Sequence, residues 1–161
     1  MPSDYVTPAK LGHVHLKVAD LDRAVAFYSD VLGFEVQVRW PQAAFLSSGG
    51  YHHHIALNIW DSAGGLPPEP DRTGLYHVAF LYPDRGSLGR AVQRVMDAGI
   101  RITGKADHGV SEAVYFNDPE GNGVELYRDR AEADWPRGPD GRIRLGNAPL
   151  DLRALLADAT R

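Results

Sequence analysis

The 161-residue chain has no cysteine, so disulfides, thiolate nucleophiles and thiolate-held zinc are excluded. It also lacks a basic excess. Lys and Arg number 17 against 21 Asp and Glu, a formal net charge of −4. Nothing in that balance favours a phosphate backbone, and no nucleic-acid partner is expected. No run of 18 apolar residues occurs, so neither a membrane span nor a membrane partner is expected. The opening MPSDYVTPAK has no charged stretch followed by an apolar one, which speaks against a signal peptide. Together these absences lead to the expectation of a cytoplasmic protein. What remains, 43% hydrophobic and 24% charged residues, is the composition of an ordinary globular domain.

The chain contains a repeat. LGHVHLKVADLDRAVAFYSDVLGFEVQV starts at Leu11, and LYHVAFLYPDRGSLGRAVQRVMDAGIRI starts at Leu75. His13 and His77 are 64 positions apart, as are Val14 and Val78, and Asp20 and Asp84. Gly33 and Gly99 are 66 apart, which needs a two-residue insertion. Each copy reads as strand, helix, glycine, strand, the mark of a duplicated supersecondary unit.

In the first copy the alternation predicts a strand over 11–18, with His13, His15 and Lys17 on one face. Asp20 suits a helix N-cap. Leu21, Val25, Tyr28 and Leu32 form an apolar helical stripe that Gly33 ends. Strands are expected over 34–39, 43–47 and 52–60. In the second copy a strand over 75–81 leads to a helix over 84–98, with Leu88, Val92 and Val95 inward and Gly99 closing it. Strands are then expected over 100–103, 113–116 and 124–128. DSAGGLPPEPDRTG between the copies reads as a linker. The modules therefore cover about 11–60 and 75–129 of a single domain over 1–129, and 130–161 is a C-terminal extension. A short amphipathic helix over 150–159 carries Leu152, Leu155 and Leu156 on one side. The extension is expected to pack on the domain or on a second subunit, giving a tail-sealed monomer or a homodimer.

All seven histidines lie on or beside predicted strands. The duplication puts His13 and His77 at matching positions. Two halves paired about a pseudo-two-fold axis would bring both imidazoles to one centre. Glu125 lies between Val124 and Leu126 and points away from them, where an acid is costly unless it is paired, exposed or metal-bound. Two histidines and a carboxylate leave open positions and suit Fe(II), with Mn(II) as an alternative.

On HVHLKVADLDRAVAFYSDVLGF, GLYHVAF and DPEGNGVELY, the chain resembles the vicinal oxygen chelate superfamily of glyoxalases, bleomycin resistance proteins and extradiol dioxygenases. The resemblance implies an α+β fold, two tandem βαβββ modules forming an open, metal-binding pair of half-barrels. It also implies a divalent metal held by His13, His77 and Glu125. His15, two residues along the same face, is the rival to His13.

DHGVSEAVYFNDPEGNGVE is similar to the ring-cleaving branch. There a histidine, a hydrophobic-Tyr pair, Asp-Pro, a glycine and the ligand glutamate fall on His108, Val114-Tyr115, Asp118-Pro119, Gly121 and Glu125. Ala106 departs from that pattern, and many ring-cleaving members carry two module pairs where this chain carries one. In GYHHHIALN the resemblance places the acid–base histidine at His53, with His52 and His54 on the opposite face of the strand. A glyoxalase-type site would want a glutamate here, and 51–60 offers neither Glu nor Gln ahead of Asp61. The implied activity is Fe(II)-dependent extradiol cleavage of a catechol-like aromatic substrate by O2, with Mn(II) or Zn(II) as other metals and His53, His108 and Tyr115 catalytic. The alternatives are a glyoxalase-like isomerase or lyase on the same metal site, or a ligand-sequestering resistance protein without catalysis.

Overall fold

The computed structural model describes residues 8–159. Most of the opening stretch read for a signal peptide lies outside them. The first module runs β1 (Val14–Lys17), α1 (Leu21–Ala26), β2 (Glu35–Trp40), β3 (Ala43–Ser47) and β4 (Ile55–Asn58). α1 continues into a π-helical turn over Phe27–Val31. The second runs β5 (Val78–Leu81), α2 (Arg85–Asp97), β6 (Ile102–Asp107), β7 (Ser111–Asn117) and β8 (Gly123–Asp129). The repeat seen in the sequence is thus a repeat of topology. The sheets have the orders β1-β4-β3-β2 and β5-β8-β7-β6. In each, the first strand pairs in parallel with the last, and the remaining pairs are antiparallel. β1 and β5 are therefore open edges.

Both helices start where the sequence signals a cap. The Asp20 carboxylate accepts from Arg23 N at 3.0 Å, and the Asp84 carboxylate from Ser87 N at 2.7 Å. Hydrogen bonds from Ser87 backbone and hydroxyl hold the Asp84 carboxyl below its usual range. Gly33 and Gly99 end the helical segments at φ 82° and 74°, the left-handed region a side chain resists.

The helices and one face of each sheet share one core. Leu16, Leu46 and Leu57 of the first sheet, Val114, Phe116 and Leu126 of the second, and Tyr28, Leu88 and Val92 of the helical segments are all buried in it. Each large apolar side chain so buried contributes roughly 1.5–3 kcal/mol. Aromatic contacts cross between the modules: Phe27 with Phe116 at 6.3 Å, and Phe34 with Phe80 at 5.0 Å between ring centroids. The buried Tyr28 hydroxyl donates to Asp118 at 2.9 Å. Arg23 donates to Glu120 at 2.6 Å, and Arg94 to the Val31 carbonyl at 3.0 Å. The modules are thus joined through their helix-bearing faces. By strand alternation His15, Phe45, Tyr115 and Glu125 lie on the opposite, outer faces.

Some strands differ from expectation. β1 and β5 begin one residue after His13 and His77, so each matched histidine precedes its strand. β4 begins only at Ile55, so His52, His53 and His54 lie in the segment before it, and strand alternation does not govern their directions. β6 extends to Asp107, which pairs with Glu112 of β7 and also forms an antiparallel bridge to Ala148 of the extension.

The extension packs on the second module. α3 (Leu152–Asp158) is capped by Asp151, lies on α2 and buries Leu155. Its approach depends on Gly89, where a Cβ would stand 2.6 Å from the Leu155 carbonyl oxygen. Arg85 pairs with Asp158 and also with the buried Glu112, which receives Arg128 as well. That carboxylate is balanced by cations, as a buried charge must be.

Candidate active site

The outer face of the second sheet carries a continuous polar row. Tyr115 on β7 and Glu125 on β8 are direct cross-strand partners. The Tyr115 hydroxyl donates to Glu125 Oε1 at 3.2 Å. The other carboxylate oxygen, Oε2, lies 2.8 Å from His77 Nε2. Beyond Tyr115 the row continues to His108, whose Nε2 is 2.8 Å from the phenol oxygen, and on to the Gly146 carbonyl, 2.9 Å from His108 Nδ1. Burial first, and then the Glu125 charge, push the Tyr115 phenol up to about 12. The phenol therefore keeps its proton across the physiological range.

The outer face of the first sheet carries an aromatic wall. His13 stacks on His53 with ring centroids 4.4 Å apart. His53 meets Phe45 at 5.2 Å, and Phe45 meets Trp40 at 5.1 Å. His15 meets Trp60 at 5.4 Å. Trp40 and Trp60 are each about half exposed, at 54% and 52%, a costly display for large aromatic rings unless something covers them. Burial first, and then the neighbouring His13 and His52, hold the His53 imidazole below the usual histidine value. It is accordingly neutral at neutral pH.

His15, the rival to His13, is bonded within its own sheet. Asn58 Nδ2 donates to His15 Nε2 at 2.8 Å, so that lone pair is engaged within the sheet. Of the three consecutive histidines, His53 turns to His13 and the aromatic wall. His54 Nδ1 is held by Ser47 and Ser48, and His52 stacks on Tyr51.

Among the described residues, no group of three His, Cys, Asp or Glu side chains is placed to hold a metal ion within one chain. His77 and Glu125 come together, but His13 does not join them. His13 lies against His53 beside the first sheet, while His77 pairs with Glu125 of the second. One contributor to the row went unnoticed in the sequence, the Gly146 carbonyl. A main-chain oxygen in a charged, proline-punctuated tail leaves no side-chain signal. No helix among the described residues is long and apolar enough to cross a membrane.

Comparison with known proteins agrees with this architecture. The chain is 40% identical over 149 residues to the catechol-2,3-dioxygenase of Bacillus subtilis (strain 168), covering 92% of this chain and 52% of that protein. It is 38% identical over 125 residues to biphenyl-2,3-diol 1,2-dioxygenase 3 of Rhodococcus globerulus, covering 77% of this chain and 65% of that one. The chain thus spans from about half to just under two thirds of these relatives. Among solved structures, lactoylglutathione lyase from Agrobacterium tumefaciens superposes with a TM-score of 0.60 at 26% identity, over 75% of this chain and 94% of that one. Relatives of this fold therefore include enzymes of more than one chemistry. The sequence pattern of the glyoxalase/bleomycin resistance protein/dioxygenase superfamily matches residues 10–126, and the chain belongs to that superfamily.

Proposed function

We propose that the protein is a metal-dependent dioxygenase of the extradiol type, opening a catechol-like ring with O2. The observation that carries this reading is the row from His77 through Glu125 and Tyr115 to His108. It sets a nitrogen and an oxygen donor beside a protonated phenol and an imidazole.

His77 and Glu125 are two of the metal's ligands. The residues present fit that role: their donor atoms converge at 2.8 Å, and the second Glu125 oxygen is already oriented by Tyr115. His13 is the third, contributed by a second copy of the chain, because in its own chain it lies against His53 and forms no cluster with His77 and Glu125. Each site of the resulting homodimer draws on both chains. Two histidines and a carboxylate suit Fe(II), with Mn(II) or Zn(II) as alternatives. Such an ion supplies a common template for two vicinal oxygens and O2, and a path for electrons between them.

The rest is work for the chain's own side chains. The aromatic wall of Phe45 and Trp40 packs against the substrate ring and excludes water from it. His53, neutral and beside that wall, takes a hydroxyl proton from the diol and later returns it. Tyr115 donates a hydrogen bond to the negative charge left on substrate oxygen, and His108 orients Tyr115. In the balanced reaction the carbon–carbon bond beside the diol breaks. Both atoms of O2 enter the ring-opened product, one in a carbonyl and one in a carboxylate. Glyoxalase-like isomerisation is the weaker reading, since residues 51–60 provide no carboxylate to shuttle a proton.

The test is metal analysis of protein purified without air, followed by oxygen uptake with a panel of catechols. The expected result is bound iron, stoichiometric O2 consumption and a yellow product. Iron-loaded protein that consumes no O2 with any catechol, yet binds a non-aromatic ligand tightly, would sink the proposal.

A further inference from the structure

We propose that the C-terminal extension is a working part of the site: the Gly146 carbonyl accepts a hydrogen bond from His108 Nδ1 and so holds His108 in the tautomer that presents Nε2 to Tyr115. The catalytic meaning rests on the dioxygenase reading; the tautomer does not.

A carbonyl oxygen only accepts. At 2.9 Å from Gly146 O, His108 Nδ1 must therefore carry the proton. In the neutral ring Nε2 then holds a lone pair, 2.8 Å from the Tyr115 hydroxyl. The phenol has one proton for two acceptors, His108 Nε2 and Glu125 Oε1. With a neutral His108 it can turn that proton to the imidazole. With a protonated ring, Nε2–H donates to the phenol oxygen and the phenol proton goes to Glu125. The bonds from His108 through Tyr115 then both run toward Glu125, while Nδ1–H still donates to the Gly146 carbonyl. The opposite neutral tautomer would set the Nδ1 lone pair against the Gly146 carbonyl lone pairs, so the extension excludes it.

The contact is built rather than incidental. The turn at His108 and Gly109 is held by the extension from two sides. Gly146 N donates to the His108 carbonyl at 2.9 Å, and Asp107 and Ala148 exchange a pair of backbone hydrogen bonds, each 2.9 Å. On the other side Pro136 covers Gly109, whose φ is 78°. A Cβ there would meet Pro136 Cγ at 2.8 Å. Pro136 and Gly146 are themselves linked by a hairpin-like stretch in which Arg144 N donates to Pro136 O at 2.8 Å. Behind it Lys105 donates to the Leu150 carbonyl at 3.0 Å, and Leu150 and Leu155 are buried in the core. The extension is thereby anchored on one side of His108 and threaded over it. Gly146 acts through His108 and is a positioning residue.

The experiment is nitrogen-15 NMR of the histidine side chains in the full chain, at a pH where His108 is neutral, with its signals identified by their loss in His108→Asn. The expected wild-type spectrum has His108 protonated at Nδ1. Protonation at Nε2 alone overturns the proposal without any variant and without any assay. Ala148→Pro removes the N–H that bonds to Asp107 and loosens the extension over the turn. It should give a mixture of His108 tautomers. With an active catechol, kcat should fall about tenfold to a hundredfold while KM stays near wild type. A pure Nδ1–H tautomer retained in Ala148→Pro overturns the role of the extension, whatever happens to turnover. If no catechol is oxidised by the wild type, the tautomer results still decide this proposal while the dioxygenase reading fails separately.

Discussion

Tyr115 and Glu125 face each other as direct partners across β7 and β8, with the phenol donating to the carboxylate at 3.2 Å. One side chain thus both orients a metal-ligand candidate and keeps a proton available next to it. Tyr115→Phe removes both functions and leaves the ring in place. The variant should bind iron at wild-type stoichiometry and turn over roughly 100-fold more slowly. Loss of iron together with activity would mean that the phenol acts only by holding Glu125.

A site shared between chains has a distinctive signature in mixed dimers. His13→Ala and Glu125→Ala should each be inactive alone. After mixing and subunit exchange, half the dimers are hybrids, and each hybrid rebuilds one site from the unaltered His13 of one chain and the unaltered Glu125 of the other. Roughly a quarter of wild-type oxygen uptake should return. If mixing restores nothing while light scattering confirms exchange, the ligands do not come from two chains.

Tyr28 makes a prediction about base. Burial first, and then the Asp118 charge, raise its phenol well above the ordinary value of 10.0. Below pH 10 folded and unfolded chains both carry the proton. Above it the unfolded chain releases the proton first, so stability falls as pH rises. Tyr28→Phe should lose about 1–3 kcal/mol at neutral pH, where Asp118 loses a donor. Its stability should then decline less steeply above pH 10 in urea unfolding. An unchanged alkaline slope would mean Tyr28 is not the group responsible.

The aromatic wall gives a prediction about specificity. Trp40 and Phe45 extend away from His53 as a ladder of ring contacts. Trp40→Ala should raise KM for a catechol bearing an aryl substituent by roughly three- to tenfold. The effect on unsubstituted catechol should be smaller. Equal effects on both would place the substituent elsewhere.

What the sequence determined by itself was local or periodic. The spacing between His13 and His77 identified the duplicated module, and Asp20 with Gly33 and Asp84 with Gly99 marked both helices. These signals survive folding because caps and left-handed turns are satisfied within a few residues. The pairing of Tyr115 with Glu125 was also within reach, since both lie on adjacent strands of one module. Tertiary structure alone decided how the two modules face each other. Alternation states which side of its own sheet a histidine occupies, but not which side of that sheet the other module covers. That choice is made by non-local burial, Tyr28 against Asp118 and Phe27 against Phe116. It separates His13 from His77 and Glu125 within the chain. The same limit hid Gly146, a backbone oxygen whose part in the site exists only because the buried Leu150 and Leu155 draw the extension across His108.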